Sequence, residues 1–206
     1  MTKPVPLFST LALVAVVGLA GCDDKNVPQT AARRFDGVKT DNAAAAYKTF
    51  CERGYPGGPG QGHKLPAMPE RPLPAASPVP PAKPNAWRWI NFWATWCTPC
   101  MDEIPLLGRW NESLAKDGVS IGLELWSVDD DQAALASWLK KPAPGRVRWL
   151  RTFEDLAAVL DGLGVARASA LPVHVLVDPN GAVRCVRVGA VHDEDYGAIK
   201  AILVSG

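Results

Sequence analysis

The sequence predicts an α/β fold: a mixed central β-sheet flanked by helices on both faces. Three observations predict it. From about residue 86 onward, runs rich in aromatic and β-branched residues alternate with segments carrying an apolar stripe at helical spacing. Their order reads β-α-β-α-(α)-β-β-α, and strands separated by helices imply parallel neighbours. The tight Pro179-Asn180-Gly181 turn makes the last two strands antiparallel, and layers of helix on a mixed sheet are the simplest way to bury both faces.

The elements follow in order. Asp41-Asn42 precedes AAAAYKTFCER and reads as the cap of a short helix. Residues 54–84 hold ten prolines and five glycines among 31 residues, a composition that cannot make a helix or a central strand. That stretch is expected to be extended, partly polyproline II, and to lie on the surface. Trp87 to Ala94, WRWINFWA, reads as a buried strand. Met101, Ile104, Leu107, Trp110 and Leu114 then form a helical stripe that ends near Asp117-Gly118, with a kink expected at Pro105. Val119 to Val128 is a second strand. Asp129-Asp130-Asp131 supplies caps for a helix that stops at Pro142, and a further helix covers about 153–163. A strand follows Leu171-Pro172, the hairpin partner spans Ala182 to Val188, and Asp193 to Leu203 closes the chain as a helix.

The 206 residues suffice for one domain with appendages, and 48% of them are hydrophobic. A net charge of +1 without a basic stripe gives no footing for nucleic acid. Leu7 to Ala20 is an apolar run of signal-peptide length, too short to span a bilayer comfortably. It runs into Leu19-Ala20-Gly21-Cys22, which resembles a bacterial lipobox whose cysteine is lipidated after cleavage. The expected organisation is therefore a signal peptide over 1–21, then a tether, short helix and Pro/Gly-rich segment over 22–85, then a domain over 86–206. Lipid on Cys22 would hold the protein to a membrane without spanning it. It would place the chain in the bacterial cell envelope, facing the periplasm, and Asp23 resembles an inner-membrane retention signal.

With Cys22 assigned to lipid, Cys51, Cys97, Cys100 and Cys185 remain, an even number for an oxidising compartment. Four cysteines allow three pairings. Cys97 and Cys100 are two residues apart at a helix start and can bridge locally, which leaves Cys51 with Cys185; two inert thiols are the alternative for that second pair. Its bridge would close a loop of more than 130 residues and, if unstrained, add on the order of 4 kcal/mol. The segment WATWCTPC places Cys97 at a helix N-terminus, where unpaired amides and the positive dipole end favour a thiolate. Cys97 is then the exposed nucleophile. Cys100, one turn in and more buried, resolves a mixed disulfide. Pro99 suits a first helical turn. A purely structural disulfide and a zinc site are the competing readings; zinc lacks a second CxxC or a suitably spaced histidine pair. Nothing in the chain calls for a cofactor.

The block FWATWC-x-x-C, with Glu103-Ile104-Pro105 after it and Leu171-Pro172 at the start of a distant strand followed by VDPNGAV, resembles the TlpA/ResA-like family of exported thiol-disulfide oxidoreductases. The resemblance covers about 120 residues and implies a thioredoxin-like fold. It implies a cis peptide at Pro172 beside the cysteines, with the Leu171 backbone free to pair with substrate chain. Trp96 would cover part of the site, while Trp93 belongs to the core. Glu103 matches an acidic position of the family and is a candidate proton relay. Asp130 lies near where ResA-like proteins carry a functional glutamate, and Glu124 is an alternative inward-facing acid. The implied partners are protein disulfide substrates, such as apocytochrome c or other envelope proteins, and an unidentified membrane or envelope electron donor. The proline-rich segment departs from the family, whose members have a compact hairpin there. A copper site built from Cys97, Cys100 and His174, as in Sco-like chaperones, is the reading from another class, although those proteins generally use a three-residue spacer. A non-catalytic thioredoxin-fold binding module is a third.

Overall fold

The structure is a computed structural model that describes residues 42–77 and 83–205. The signal segment, Cys22 and the tether before residue 42 lie outside the described residues. Helix α1 covers residues 42–50. It is followed by β1 (Arg53–Gly54), β2 (His63–Lys64), β3 (Trp87–Trp93), α2 (Thr98–Lys116), β4 (Ile121–Ser127), α3 (Gln132–Trp138), β5 (Arg146–Trp149), α4 (Phe153–Gly162), β6 (Val173–Val177), β7 (Ala182–Val188), a 3-10 turn (Asp193–Asp195) and α5 (Tyr196–Ser205).

The strands form one mixed sheet in the order β1-β7-β6-β3-β4-β5, with β2 also on β7. β3, β4 and β5 are parallel; β6 is antiparallel to β3, and β7 to β6. The antiparallel β3–β6 pair corrects the expectation of parallel neighbours. Residues 163–172 follow α4 as a non-helical segment, and β6 then begins with Val173 opposite Phe92 near the C-terminal end of β3. A helix alone would have delivered the chain to the other end.

β3 and β6 are central, and their near-continuous apolar runs are buried on both sides. Trp89 of β3 stacks on Trp110 of α2, and Tyr196 of α5 packs on Trp110 in turn. α3 and α4 start at designed-in caps: Asp131 accepts from the amides of Ala133 and Ala134, and Thr152 from that of Asp155. Helix α2 runs on through Pro105. At the β6–β7 turn, Asp178 accepts from the amides of Asn180 and Ala182, while Gly181 takes φ +86°, open to glycine at no steric cost.

The proline-rich segment is a strap clamped to both edges of the sheet. At one edge β1 and β2 pair with β7. A Cβ on Gly62 would lie 2.5 Å from the Val183 carbonyl oxygen, so only glycine lets the backbone approach this closely. At the other edge Glu70 bridges Leu150, with Arg71 N–H donating to Trp149 O (3.0 Å) and Arg151 N–H to Pro69 O (2.9 Å). Leu65, Met68 and Leu73 pack against the core between and beyond these clamps. The fully buried Arg184 donates to the carbonyls of Tyr55, Gly57 and Gly58 and lies 3.5 Å from Asp178. A disulfide joins Cys51, after α1, to Cys185 in β7.

Candidate functional site

The site is built where β3 runs out. After Trp93 the chain turns through Thr95 and Trp96, closed by the Cys97 amide donating to Ala94 O (3.1 Å). Cys97 is the N-cap of α2, with extended backbone, and its Sγ accepts from the Cys100 amide at 3.4 Å. Pro99 occupies the first turn, where a missing N–H leaves no bond unmade. Cys97 and Cys100 are joined as a disulfide. Cys97 is 5% exposed and Cys100 fully buried. Cys97 is thus the more exposed residue of the pair, but it is far less open than the exposed nucleophile expected.

Around the disulfide, Trp96 stands 61% exposed, and its ring centroid is 6.5 Å from that of Phe153, itself 42% exposed at the start of α4. The Leu171–Pro172 peptide is cis. Pro172 lies one residue before the Val173–Phe92 pair and therefore at the cysteine-bearing end of the sheet; its carbonyl accepts from the Gly189 amide at 2.9 Å.

Glu103, one turn beyond Cys100 on α2, is buried. Its Oε1 accepts from Asn91 Nδ2 (2.9 Å) and its Oε2 from the Val191 amide (2.9 Å). His174 Nε2 lies 3.3 Å from the same Oε2, without the alignment of a hydrogen bond. Trp89 Nε1–H, which can only donate, points at His174 Nδ1 (3.2 Å), so a neutral ring carries its proton on Nε2, beside the carboxylate. Asn91 and His174 face each other in the β3–β6 register, which brings the parts together from two strands and a helix. Glu103 also lines a cavity of about 630 Å³ beside α2, together with Pro99, Asp102, Arg109 and His192.

The structure does not bring the other predicted acids to the cysteines. Asp130 has a side chain 73% exposed, 4.0 Å from Arg71. The buried acid is its neighbour Asp129, whose carboxylate accepts from Thr95 N–H (3.0 and 3.1 Å), Thr95 Oγ1 (2.6 Å) and Ser127 Oγ (2.8 Å). In a run of three aspartates, the sequence carries one signal that could have separated them: Asp129 lies two residues past Ser127, the last residue of β4, and shares its parity and its burial. Glu124 pairs with Ile90 in register, three residues short of the cysteine end, and is bound by Arg88 (2.6 and 3.0 Å). Burial pushes its carboxyl up, but the Arg88 guanidinium and the Trp126 indole outweigh that and hold it below the usual range. His174 has Nδ1 taken by Trp89 and Nε2 facing Glu103, a poor start for a copper ligand shared with the cysteines. His63 bonds Gly162 O and stacks on Tyr55, at the strap.

No family model matches the chain. The thiol-disulfide oxidoreductase ResA of Bacillus subtilis (strain 168) is 29% identical over 103 residues, covering 50% of this chain and 53% of that protein. ResA of Geobacillus kaustophilus is 31% identical over 108 residues, covering 52% and 57%. The thiol:disulfide interchange protein HelX of Rhodobacter capsulatus is 37% identical over 75 residues, covering 35% and 40%. The chain spans about half the length of the curated relatives it matches. Two solved structures share the fold. The putative thiol:disulfide interchange protein DsbE of Chlorobium tepidum superposes at TM-score 0.50 and 19% identity, over 70% of this chain and 96% of its own. A thiol:disulfide interchange protein from Bacteroides sp. does so at 0.50 and 18%, over 69% and 90%. The chain therefore has a thioredoxin-like fold and is similar in sequence to thiol-disulfide oxidoreductases named ResA.

Proposed function

We propose that the protein is an envelope thiol-disulfide oxidoreductase that reduces disulfides in exported proteins through the Cys97/Cys100 dithiol. The observation that carries the reading is the disulfide at the N-terminus of α2, with Cys97 at the cap and Cys100 buried one turn in. In the reduced protein, the first-turn amides and helix dipole favour the Cys97 thiolate. It attacks one sulfur of a partner disulfide, forming a mixed disulfide and expelling the partner's other sulfur as a thiolate, which takes a proton. Cys100 then attacks Cys97 Sγ and expels the second partner sulfur. Two electrons leave the protein, and the Cys97–Cys100 disulfide is the product. Cys100 must lose its proton for that second attack. Glu103 is the buried base one turn away: three N–H groups face its carboxylate, and a carboxylate has about four lone-pair sites.

Trp96, Leu171 and Pro172 form the substrate side of this reading, the strand-start backbone receiving an extended partner chain. An envelope or membrane donor must re-reduce the disulfide after each turnover. A lipid on Cys22 would keep the domain at the periplasmic side of the inner membrane, and the ResA and HelX likeness makes cytochrome c maturation the process to test first.

The testing experiment is equilibration of the Cys97–Cys100 pair in redox buffers, together with insulin-disulfide reduction. A potential near about −270 mV with turnover lost in Cys97→Ser supports the reductant; one near about −120 mV makes the protein an oxidant instead. Turnover unchanged in Cys97→Ser removes the Cys97/Cys100 mechanism, and native protein that reduces no insulin leaves a binding module.

A further inference from the structure

Among the described residues, the strap reaches the redox turn through Arg71. Arg71 is fixed at the β5 edge by its own amide on Trp149 O and by its guanidinium stacked over the Trp149 ring, 3.6 Å from the centroid. From there Arg71 Nη2 donates to Asp129 O at 2.7 Å, and Trp149 Nε1 donates to the same oxygen at 2.8 Å. Asp129 is fully buried at the end of β4. Its carboxylate faces the other way and holds Thr95 through both the amide and the hydroxyl. Thr95 lies in the turn that the Cys97 amide closes onto Ala94 O. An unbroken series of short hydrogen bonds therefore runs from the strap to the residue two before the nucleophile. Arg71 and Thr95 share no bond with each other; each bonds a different end of Asp129.

We propose that Arg71 and Asp129 are positioning residues for Cys97, and that the proline-rich strap braces the redox turn as well as covering the sheet edge. The argument is geometric. The Cys97 thiolate is favoured only while its Sγ stays over the first-turn amides of α2. The turn Ala94–Cys97 decides whether it does, and among the described residues Asp129 holds the Thr95 amide and hydroxyl of that turn. Asp129 is in turn fixed by Ser127 Oγ from its own strand and by Arg71 and Trp149 at its carbonyl. This rests on Cys97 being the nucleophile.

A double-mutant cycle on the full described chain tests it, reading the rate at which iodoacetamide alkylates Cys97 in the reduced, folded protein by peptide mass spectrometry. Arg71→Met keeps an apolar stem on Trp149 and removes the guanidinium; Thr95→Val keeps the shape and removes the hydroxyl. Each single variant is expected to slow Cys97 about three- to tenfold, and the double variant to be no slower than the slower single within about twofold, because both break one series. Arg148→Met loosens the strap at its neighbouring ion pair with Glu70 without touching Asp129, and it should leave the rate unchanged. The proposal is overturned if Arg71→Met leaves the rate unchanged, if the double effect is the product of the singles, or if Arg148→Met slows Cys97 as much as Arg71→Met. Alkylation reads the brace without a protein substrate. Coupling found in a protein that fails to reduce insulin would therefore sink the proposed activity alone.

Discussion

The proposed function has Cys97 act from a helix cap and Glu103 from a buried position, and the two proposed roles make different predictions. Glu103→Gln turns one carboxylate oxygen into an NH₂ group, which then faces either the Asn91 donor at the Oε1 position or the Val191 and His174 donors at the Oε2 position. It removes the base for Cys100 without touching the α2 cap. The resolving step should slow about a hundredfold, while alkylation of Cys97 stays within a few-fold; rapid-quench analysis of mixed-disulfide decay separates the two. At this scale the cysteine pair was readable because two thiols at a strand–helix junction have few alternatives, and so was the place of Glu103 on α2, one turn beyond them. Asp129 was not readable. Three consecutive aspartates look alike until strand parity turns one inward, sends the next to solvent and leaves the third to cap α3.

The elements carried by long apolar runs, β3, β4 and β6, were legible from composition, and so was α2. β5 was not: RVRW is four residues with two arginines, and it becomes a strand only because β4 offers its edge. The strands β1 and β2 were hidden for the same reason, being two-residue pairings inside a proline-rich stretch. The β6–β7 hairpin was legible from Pro-Asn-Gly, yet its electrostatics came from the strap. Burial pushes the Asp178 carboxyl up, but the amides of Gly60, Ala182 and Asn180 and the Arg184 guanidinium outweigh it and hold the group below the usual range. A carboxyl depressed by folding stabilises at neutral pH, above its unfolded value of about 3.9, and that contribution is lost as pH falls through the lower folded value. Urea melts of the native protein and Asp178→Asn should differ most near pH 7, with the gap narrowing as pH falls below about 4; a gap that widens as the medium is acidified would contradict the assignment.

Across the whole molecule, the strap and the Cys51–Cys185 disulfide close the chain around both sheet edges. Covered edges protect a sheet from edge-to-edge association. With its cysteines 134 positions apart, the staple constrains a large loop of the unfolded chain. Cys51→Ala with Cys185→Ala should lower unfolding free energy by about 2–5 kcal/mol in denaturant melts, with the Cys97–Cys100 potential unmoved. A shift in that potential would mean the staple takes part in the redox chemistry. The division of labour between a stapled scaffold and one exchanging pair is the central claim, and trapping tests it most directly. Reduced Cys100→Ser and Cys97→Ser variants are each mixed with a disulfide-bonded protein substrate and analysed by mass spectrometry. The account predicts a stable mixed disulfide through Cys97 in the Cys100→Ser variant and none in Cys97→Ser. Equal trapping in both, or trapping through Cys51 or Cys185, would contradict it.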